Sequence, residues 1–536
     1  MTNAGGAFDV IVIGAGHNGL VCACYLAAAG LKVKVVERRH VVGGAAVTEE
    51  FHPGFRNSVA SYALGLLNPK VIRDLDLHGN GLKIVERRLG NFWPLGPDRY
   101  LKLPFDLPGR QAEVARFSKA DAVAMPAYTA RLEATVGLLG RLVLETPPNA
   151  GGGLGDAIRA VRLGNRLRGL TLEEQQTLLD LFTKSAADYL AQWFESDEVR
   201  AALAFDSIIG FYGSPHTPGS AYVLLHHAFG EVNGKRGVWG HAVGGMGAVT
   251  QATAKAAARR GVSIALDAEV SEVIVEAGRA VGVALADGTV LRGRAVSSNL
   301  NPRLLFGKLV DPELLAPDFR RRMAHWKCAS GTFRMNVALS ELPDFTCLPG
   351  TNLQDHHTSG IVIGPSVDYL DRAYLDARQF GWSRKPVIEM LIPSTIDETL
   401  APEGRHVASL FCQHFAPELP DGASWDAHRD EAADLVIDTV NAYAPNFRAN
   451  VLGRQILSPL DLERRFGLVG GDIFHGALTL DQMFWARPAL GHADYRAPIP
   501  GLYMCGSGAH PGGGVTGAPG HNAAREIIRD FRRRKV

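Results

Sequence analysis

The residues with most to say about chemistry are Gly14-Ala15-Gly16-His17-Asn18-Gly19. Their G-x-G-x-x-G spacing is that of a backbone turn that cradles a pyrophosphate. The first glycine permits a tight turn, the second lets backbone approach phosphate, and the third lets a helix lie close to a strand. Glu37 follows where a carboxylate can accept hydrogen bonds from a ribose 2′-hydroxyl. The flanking elements fit that use. Phe8–Ile13 reads as a buried strand and His17–Ala29 as a helix whose N-terminus offers free N–H groups and positive dipole to phosphate. Gly30 closes the helix, and Lys32–Val36 is a second strand with Glu37 at its tip. A lone glycine pattern is weak evidence, but here strand, helix, second strand and acidic tip all stand where the chemistry needs them. Ile13, Gly14, Ala15, Gly16, His17, Asn18, Gly19 and Glu37 are therefore candidate cofactor-binding residues.

The next residues narrow the cofactor. Arg38-Arg39-His40-Val41-Val42-Gly43-Gly44 fits R-x-x-x-x-G-G. This extension resembles FAD-binding flavoenzymes of the glutathione-reductase-like and amine-oxidase-like kinds, in which the arginine and glycine pair continue along adenosine and pyrophosphate. The resemblance adds Arg38, Gly43, Gly44 and Ala45 to the FAD site. Glu37 would repel a 2′-phosphate. Arg39 reads as a solvated surface charge.

Composition sets outer bounds. The chain has 536 residues, 46% hydrophobic and 21% charged, with net charge +1, so two or more domains fit and no electrostatic case exists for nucleic acid. None of the six cysteines is spaced C-x-x-C, which argues against a dithiol or a zinc site, and no metal is expected. Cys22 and Cys24 read as core thiols. Met1–Ala7 contains neither arginine nor an apolar run, and Leu20–Leu31 is too short to span a bilayer. The expected location is cytoplasmic, with peripheral membrane contact left open; oligomeric state is not readable.

Further along, Tyr62–Leu67 and Val71–Leu77 look like short helices, and Phe51–Ser61 is turn-rich. Helical periodicity marks 111–144 and 172–204, joined by a loop at Gly151-Gly152-Gly153. Thr217 and Pro218 look like the N-cap and first residue of a helix carrying His226 and His227. Gly244–Ala248 starts another helix. Val262–Leu266, Val270–Glu276, Ala280–Ala286 and Thr289–Arg294 form a β segment with a hairpin turn at Asp287-Gly288, and Ala295–Asn299 returns to the first sheet. Gly331–Ala338, Ile361–Gly364, Val387–Pro393 and His406–Gln413 are strands of a second sheet, followed by a helix over 425–444. Phe484, Trp485, His475 and Arg487 are candidates to line a pocket. Near the C-terminus, Leu502–Cys505 is a strand, six glycines follow between 506 and 517, and a last helix begins near Val515–Gly520. No second intact G-x-G-x-x-G occurs mid-chain, which argues against a stable NAD(P) site.

Together, the N-terminal motif, the Gly244–Ala248 helix start, the β-meander and the glycine-rich C-terminus resemble the phytoene-desaturase-like branch of FAD oxidoreductases. IGAGHNGLVCACYL, ERRHVVGGAAVTEE, SPHTPGSAYVLLHH, GGMGA, DLERRFGL and LYMCGSGAHPGGG resemble, more narrowly, the pyridine nucleotide-disulphide oxidoreductase domain-containing protein 2 subgroup, over Phe8–Asp530. Animal relatives in that subgroup are described as mitochondrial; the location is not carried over. The resemblance implies an α/β fold: a Rossmann-type, glutathione-reductase-like FAD-binding domain with a β-meander (1–100, 241–324 and 491–536), a helical insertion (101–240) and a mixed α/β substrate part (325–490). It implies that Val270 offers backbone to adenine and that Gly506, Ser507, Gly514 and Val515 face the flavin. An N–H donor there would stabilise negative charge on the reduced ring. The implied activity is removal of hydride from an apolar, isoprenoid or lipid-like substrate, with oxygen, a quinone or another oxidant as electron acceptor. Two alternatives stay open: amine-oxidase-like C–N oxidation, and a flavin-binding scaffold or regulator with little turnover. No catalytic base is evident; His226, His227 and His475 are low-ranked candidates because imidazole titrates near neutrality.

Overall fold

The computed structural model describes residues 8–536; the expectation that Met1–Ala7 holds no targeting segment lies outside them. Two seven-stranded sheets dominate. In the first, Ser263–Ala265, Val33–Val36, Phe8–Ile13, Val290–Ser298 and Leu502–Met504 lie side by side in parallel. Val10–Ile13 is almost fully buried, as the run of β-branched residues requires of a strand covered on both faces. The strand Val290–Ser298 serves twice. Its first residues pair antiparallel with Arg279–Leu285, which pairs with Val270–Glu276 to make the meander. From Gly293 it runs parallel to Phe8–Ile13, so meander and return strand are one element.

Helix His17–Ala28 packs between this sheet, helix Gly247–Arg259 and the last helix, Ala518–Arg532. Gly520 makes the last contact possible: a Cβ there would lie 2.2 Å from the Asn18 carbonyl oxygen.

The second sheet runs Val451–Leu457, Thr332–Leu339, His406–Phe415, Trp382–Leu391, Gly360–Ile363, Asn91–Pro94, Tyr100–Leu103. Its four central strands are those expected. Asn91–Pro94 and Tyr100–Leu103 also join it, so the chain crosses into the substrate part before residue 100. The insertion is helical, and includes Lys119–Val143, Leu154–Arg168, Leu172–Thr183 and Asp197–Ala204. Among the described residues no helix is long and apolar enough to cross a membrane.

Three local expectations are corrected. Tyr62–Leu67 is irregular, with Leu64 bridging Gly240, because its backbone is used by the neighbouring strand rather than by itself. Most of Phe51–Ser61 belongs to a hairpin, Thr48–His52 with Phe55–Ser58. The helix after Pro218 begins at Ser220, since Gly219 takes a left-handed conformation (φ 85°) that no helix continues; Thr217 instead accepts from the Ser214 N–H at 3.0 Å.

Candidate active site

A groove runs along the C-terminal edge of the first sheet, where ligands bind in open α/β sheets. Ile13, Gly14, Gly16, His17, Asn18, Glu37, Arg38, Gly44, Ala45, Val270 and Ser507 line it. Of the other predicted residues, Ala15, Gly19, Gly43 and Gly506 shape it from behind. A Cβ on Gly19 would lie 2.1 Å from the Gly14 carbonyl oxygen, so only glycine lets the helix sit this close to the turn. Gly43 takes φ 131° and donates to the Ala15 carbonyl oxygen at 2.9 Å. Gly506 backs onto Asn299, whose carbonyl oxygen would meet a Cβ at 2.6 Å.

Glu37 is fixed within this groove. It accepts hydrogen bonds from the Ala15 N–H (2.8 Å) and the Arg39 N–H (3.0 Å), which aim its carboxylate along the groove floor. Arg39 is a correction. It pairs with Glu49 and lies 5.0 Å from the Phe466 ring centroid, with its side chain only 13% exposed, because the Asp461–Leu468 segment folds over it.

The two ends of the chain close on this groove. Asn18 Nδ2 donates to Ser507 Oγ at 3.1 Å, and His17 Nε2 meets the Gly514 carbonyl oxygen at 3.2 Å. Arg487, expected to line a pocket, is instead buried as a staple. Its Nε and Nη2 donate to the Ser507 carbonyl oxygen at 3.0 and 2.7 Å, and its other N–H groups hold the carbonyl oxygens of Phe474, Gly476, Ala477 and Gln482. Asn18 Oδ1 is buried with no partner, and the first helical turn presents the N–H groups that no helix can satisfy internally. A glycine-walled trough with surplus donors and a fixed ribose acceptor fits the ADP half of FAD.

The groove continues into a cavity that shares His17, Ala45, Leu468, His475 and Ser507 with it and adds Gly514 and Val515. Its far walls are mostly apolar or aromatic: Ala60, Leu64, Phe205, Trp239, Phe411 and Phe474. One end is polar, with Tyr62, Arg87, Asn91, Asp206 and Glu389. Tyr62 donates to Glu389 and stacks on Phe411 at 5.2 Å. Burial pushes the Asp206 carboxyl up to about 7, with Glu389 adding to the rise. None of these polar residues was singled out from the sequence.

The three candidate histidines separate. His227 and His475 face the cavity, whereas His226 lies behind it, edge-on to Phe474 at 5.3 Å, in a second cavity of about 560 Å³. Burial holds their pKa values at about 4, 4 and 3 respectively, so all three imidazoles are neutral at physiological pH and weakly basic. Phe484 and Trp485 also line that second cavity. The six cysteines are free, and Cys22 and Cys24 are buried.

Comparison with known proteins agrees with this geometry. Residues 12–75 match the NAD(P)-binding Rossmann-like domain model, and 76–332 match that of flavin containing amine oxidoreductases. The rat pyridine nucleotide-disulfide oxidoreductase domain-containing protein 2 is 44% identical, covering 98% of this chain and 94% of its own. A lycopene-forming phytoene desaturase from Pseudescherichia vulneris is 26% identical over 95% of this chain and 96% of its own. A solved putrescine oxidase variant superposes with a TM-score of 0.62 at 17% identity, covering 98% of this chain and 99% of that one, a likeness of fold. The chain is an FAD-binding flavoprotein oxidoreductase and belongs to the family of pyridine nucleotide-disulfide oxidoreductase domain-containing protein 2.

Proposed function

We propose that this protein is an FAD-dependent dehydrogenase or desaturase of the phytoene-dehydrogenase-related type, taking hydride from an apolar, isoprenoid or lipid-like substrate. The observation that carries the reading is the largely apolar and aromatic cavity joined end to end with the FAD groove. Bound FAD supplies a ring that accepts hydride. The chain's own residues position and dry the reaction. Phe205, Phe411 and Phe474 exclude water, and the Gly514–Val515 backbone sits where the groove meets the cavity. The partners are a small apolar substrate and an acceptor such as oxygen or a quinone, with no role for nucleic acid. A membrane surface is the proposed source of substrate: helix Leu154–Arg168 buries no residue and exposes Leu154, Ile158 and Val161 beside four arginines.

The matched amine oxidoreductase model supports a second reading, C–N oxidation. Against it stands Arg87, whose charge at the polar end of the cavity repels a substrate ammonium. Anaerobic titration of the FAD-loaded protein separates the readings. Bleaching of the flavin band near about 450 nm by an isoprenoid alkene supports the first. Bleaching by amines alone would refute it, and no bleaching by either class would favour a scaffold.

A further inference from the structure

Arg87 is 7% exposed and faces the cavity, yet among the described residues its guanidinium makes no hydrogen bond and no ion pair within 4.0 Å. A buried cation left this way is costly unless a partner arrives. Its charged surroundings are few. Glu389 accepts from the Tyr62 hydroxyl and attracts the Arg87 guanidinium from beyond 4.0 Å, without a direct contact. A second guanidinium, Arg334, lies 4.5 Å from the Tyr62 ring centroid, gives one N–H to Ser409 Oγ at 2.8 Å, and leaves Nε and Nη1 unbonded. The other carboxyl of this wall, Asp206, has its pKa raised by burial to about 7 and makes no contact with Arg87. Among the described residues Arg87 is thus the one guanidinium on the cavity wall, and no carboxylate of that wall lies within contact of it.

We infer that Arg87 anchors a carboxylate at one end of the substrate, so the cavity takes an amphipathic acid: an apolar body along the aromatic walls and an anionic terminus on the guanidinium. The planar fork of arginine matches a carboxylate with two parallel hydrogen bonds. A single unpaired cation balances a monoanion and falls short of a phosphate dianion. Asn91 lies in the same wall. The inference rests on the cavity being the substrate site of the flavin.

The test uses the FAD-loaded protein and three probes of equal chain length, decanoate, 1-decanol and decylamine. Binding is measured by calorimetry while the flavin absorbance is recorded. Decanoate should bind at least tenfold tighter than decanol and decylamine most weakly, with the flavin band shifting as decanoate fills the cavity. Arg87→Gln should erase the preference for the acid while leaving flavin content unchanged. Equal binding of acid and alcohol to the wild-type protein, with the band shifted, overturns the inference and leaves the cavity as substrate site. This comparison needs no variant. Acid preference with an unmoved flavin band overturns the reading of the cavity, and the inference with it. Acid preference that survives in Arg87→Gln overturns the assignment to Arg87.

Discussion

The second and third glycines of the nucleotide motif should fail in different ways when given a methyl group. At Gly19 the new Cβ would lie 2.1 Å from the Gly14 carbonyl oxygen, about 1.3 Å inside the 3.4 Å at which ordinary contact begins. The obstacle is backbone in the tightest turn of the sheet, so the helix must lift away. Overpacking of this kind costs up to about 3 kcal/mol. Alanine's better helix propensity returns about 1 kcal/mol, leaving a net loss of about 2 kcal/mol. At Gly16 the Cβ would meet only Asn299 Nδ2, at 2.6 Å. That is the end of a side chain and can rotate aside, so the apoprotein should keep its stability. Yet the methyl would then occupy the trough meant for pyrophosphate. Thermal unfolding of apoprotein and of FAD-saturated protein tells the two apart. Gly19→Ala should lower the Tm of the apoprotein and weaken FAD at least tenfold, about 1.4 kcal/mol. Gly16→Ala should leave the apoprotein Tm unchanged and lose most of the increment that FAD adds. A Gly19→Ala protein as stable and as yellow as wild type would refute the packing argument. An apo Gly16→Ala protein as unstable as Gly19→Ala would refute the separation of roles.

Other perturbations follow from the same geometry. Glu37→Gln puts an amide against the N–H donors of Ala15 and Arg39 and removes a charged acceptor; hydrogen bonds to charged groups are worth about 1.5–3 kcal/mol, so flavin per protein after desalting should fall at least tenfold. Arg496→Ala leaves the buried Asp530 carboxylate without the cation that binds it at 2.8–2.9 Å, while Glu526 keeps Arg529, and should cost about 3 kcal/mol in denaturant unfolding. That cost should shrink in acid: burial alone would raise the Asp530 pKa, Arg496 holds it below the usual value, and the stabilisation is lost as pH falls through that depressed pKa. Asp206 has the opposite sign. Its folded pKa, raised to about 7, exceeds the unfolded one, so its contribution is complete below the unfolded value and disappears as pH rises through about 7. The stability of Asp206→Asn should lack this decline between about pH 4 and 7; an unchanged profile would remove Asp206 from the argument.

What could be seen in the sequence was what is local or periodic. The strand, turn and helix over Phe8–Ala28 carry their meaning in consecutive residues, and the strands Thr332–Leu339 and His406–Phe415 announce themselves as buried apolar runs. The polar end of the cavity had no such signal. Arg87, Asp206 and Glu389 come from three distant stretches, and each alone is an ordinary charged residue among 21% of its kind. Only tertiary structure makes them neighbours and strips them of water. Arg39 was misjudged for a related reason: nothing near it in sequence reveals that Phe466 and Glu49 will cover it. Asn299 was within reach, since a polar residue directly after the buried return strand must sit at the sheet edge where the groove opens.

The placement of the site also explains why the chain is threaded as it is. The contacts that join the nucleotide turn to the glycine-rich segment link residues 497 and 489 positions apart. Closing so long a loop is entropically costly, and the hydrogen bonds at the closure are few. The cost is met instead by burial along the interface of the first and last helices, where Gly520 lets the two backbones approach. Arg487 then fixes Ser507 from the other side, so the last wall of the flavin site is held by residues that never touch the groove's opening half. The nucleotide turn can form locally, but the flavin end of the site exists only once the C-terminal helix has docked. FAD binding in this fold is therefore a readout of the whole tertiary structure rather than of its N-terminal motif.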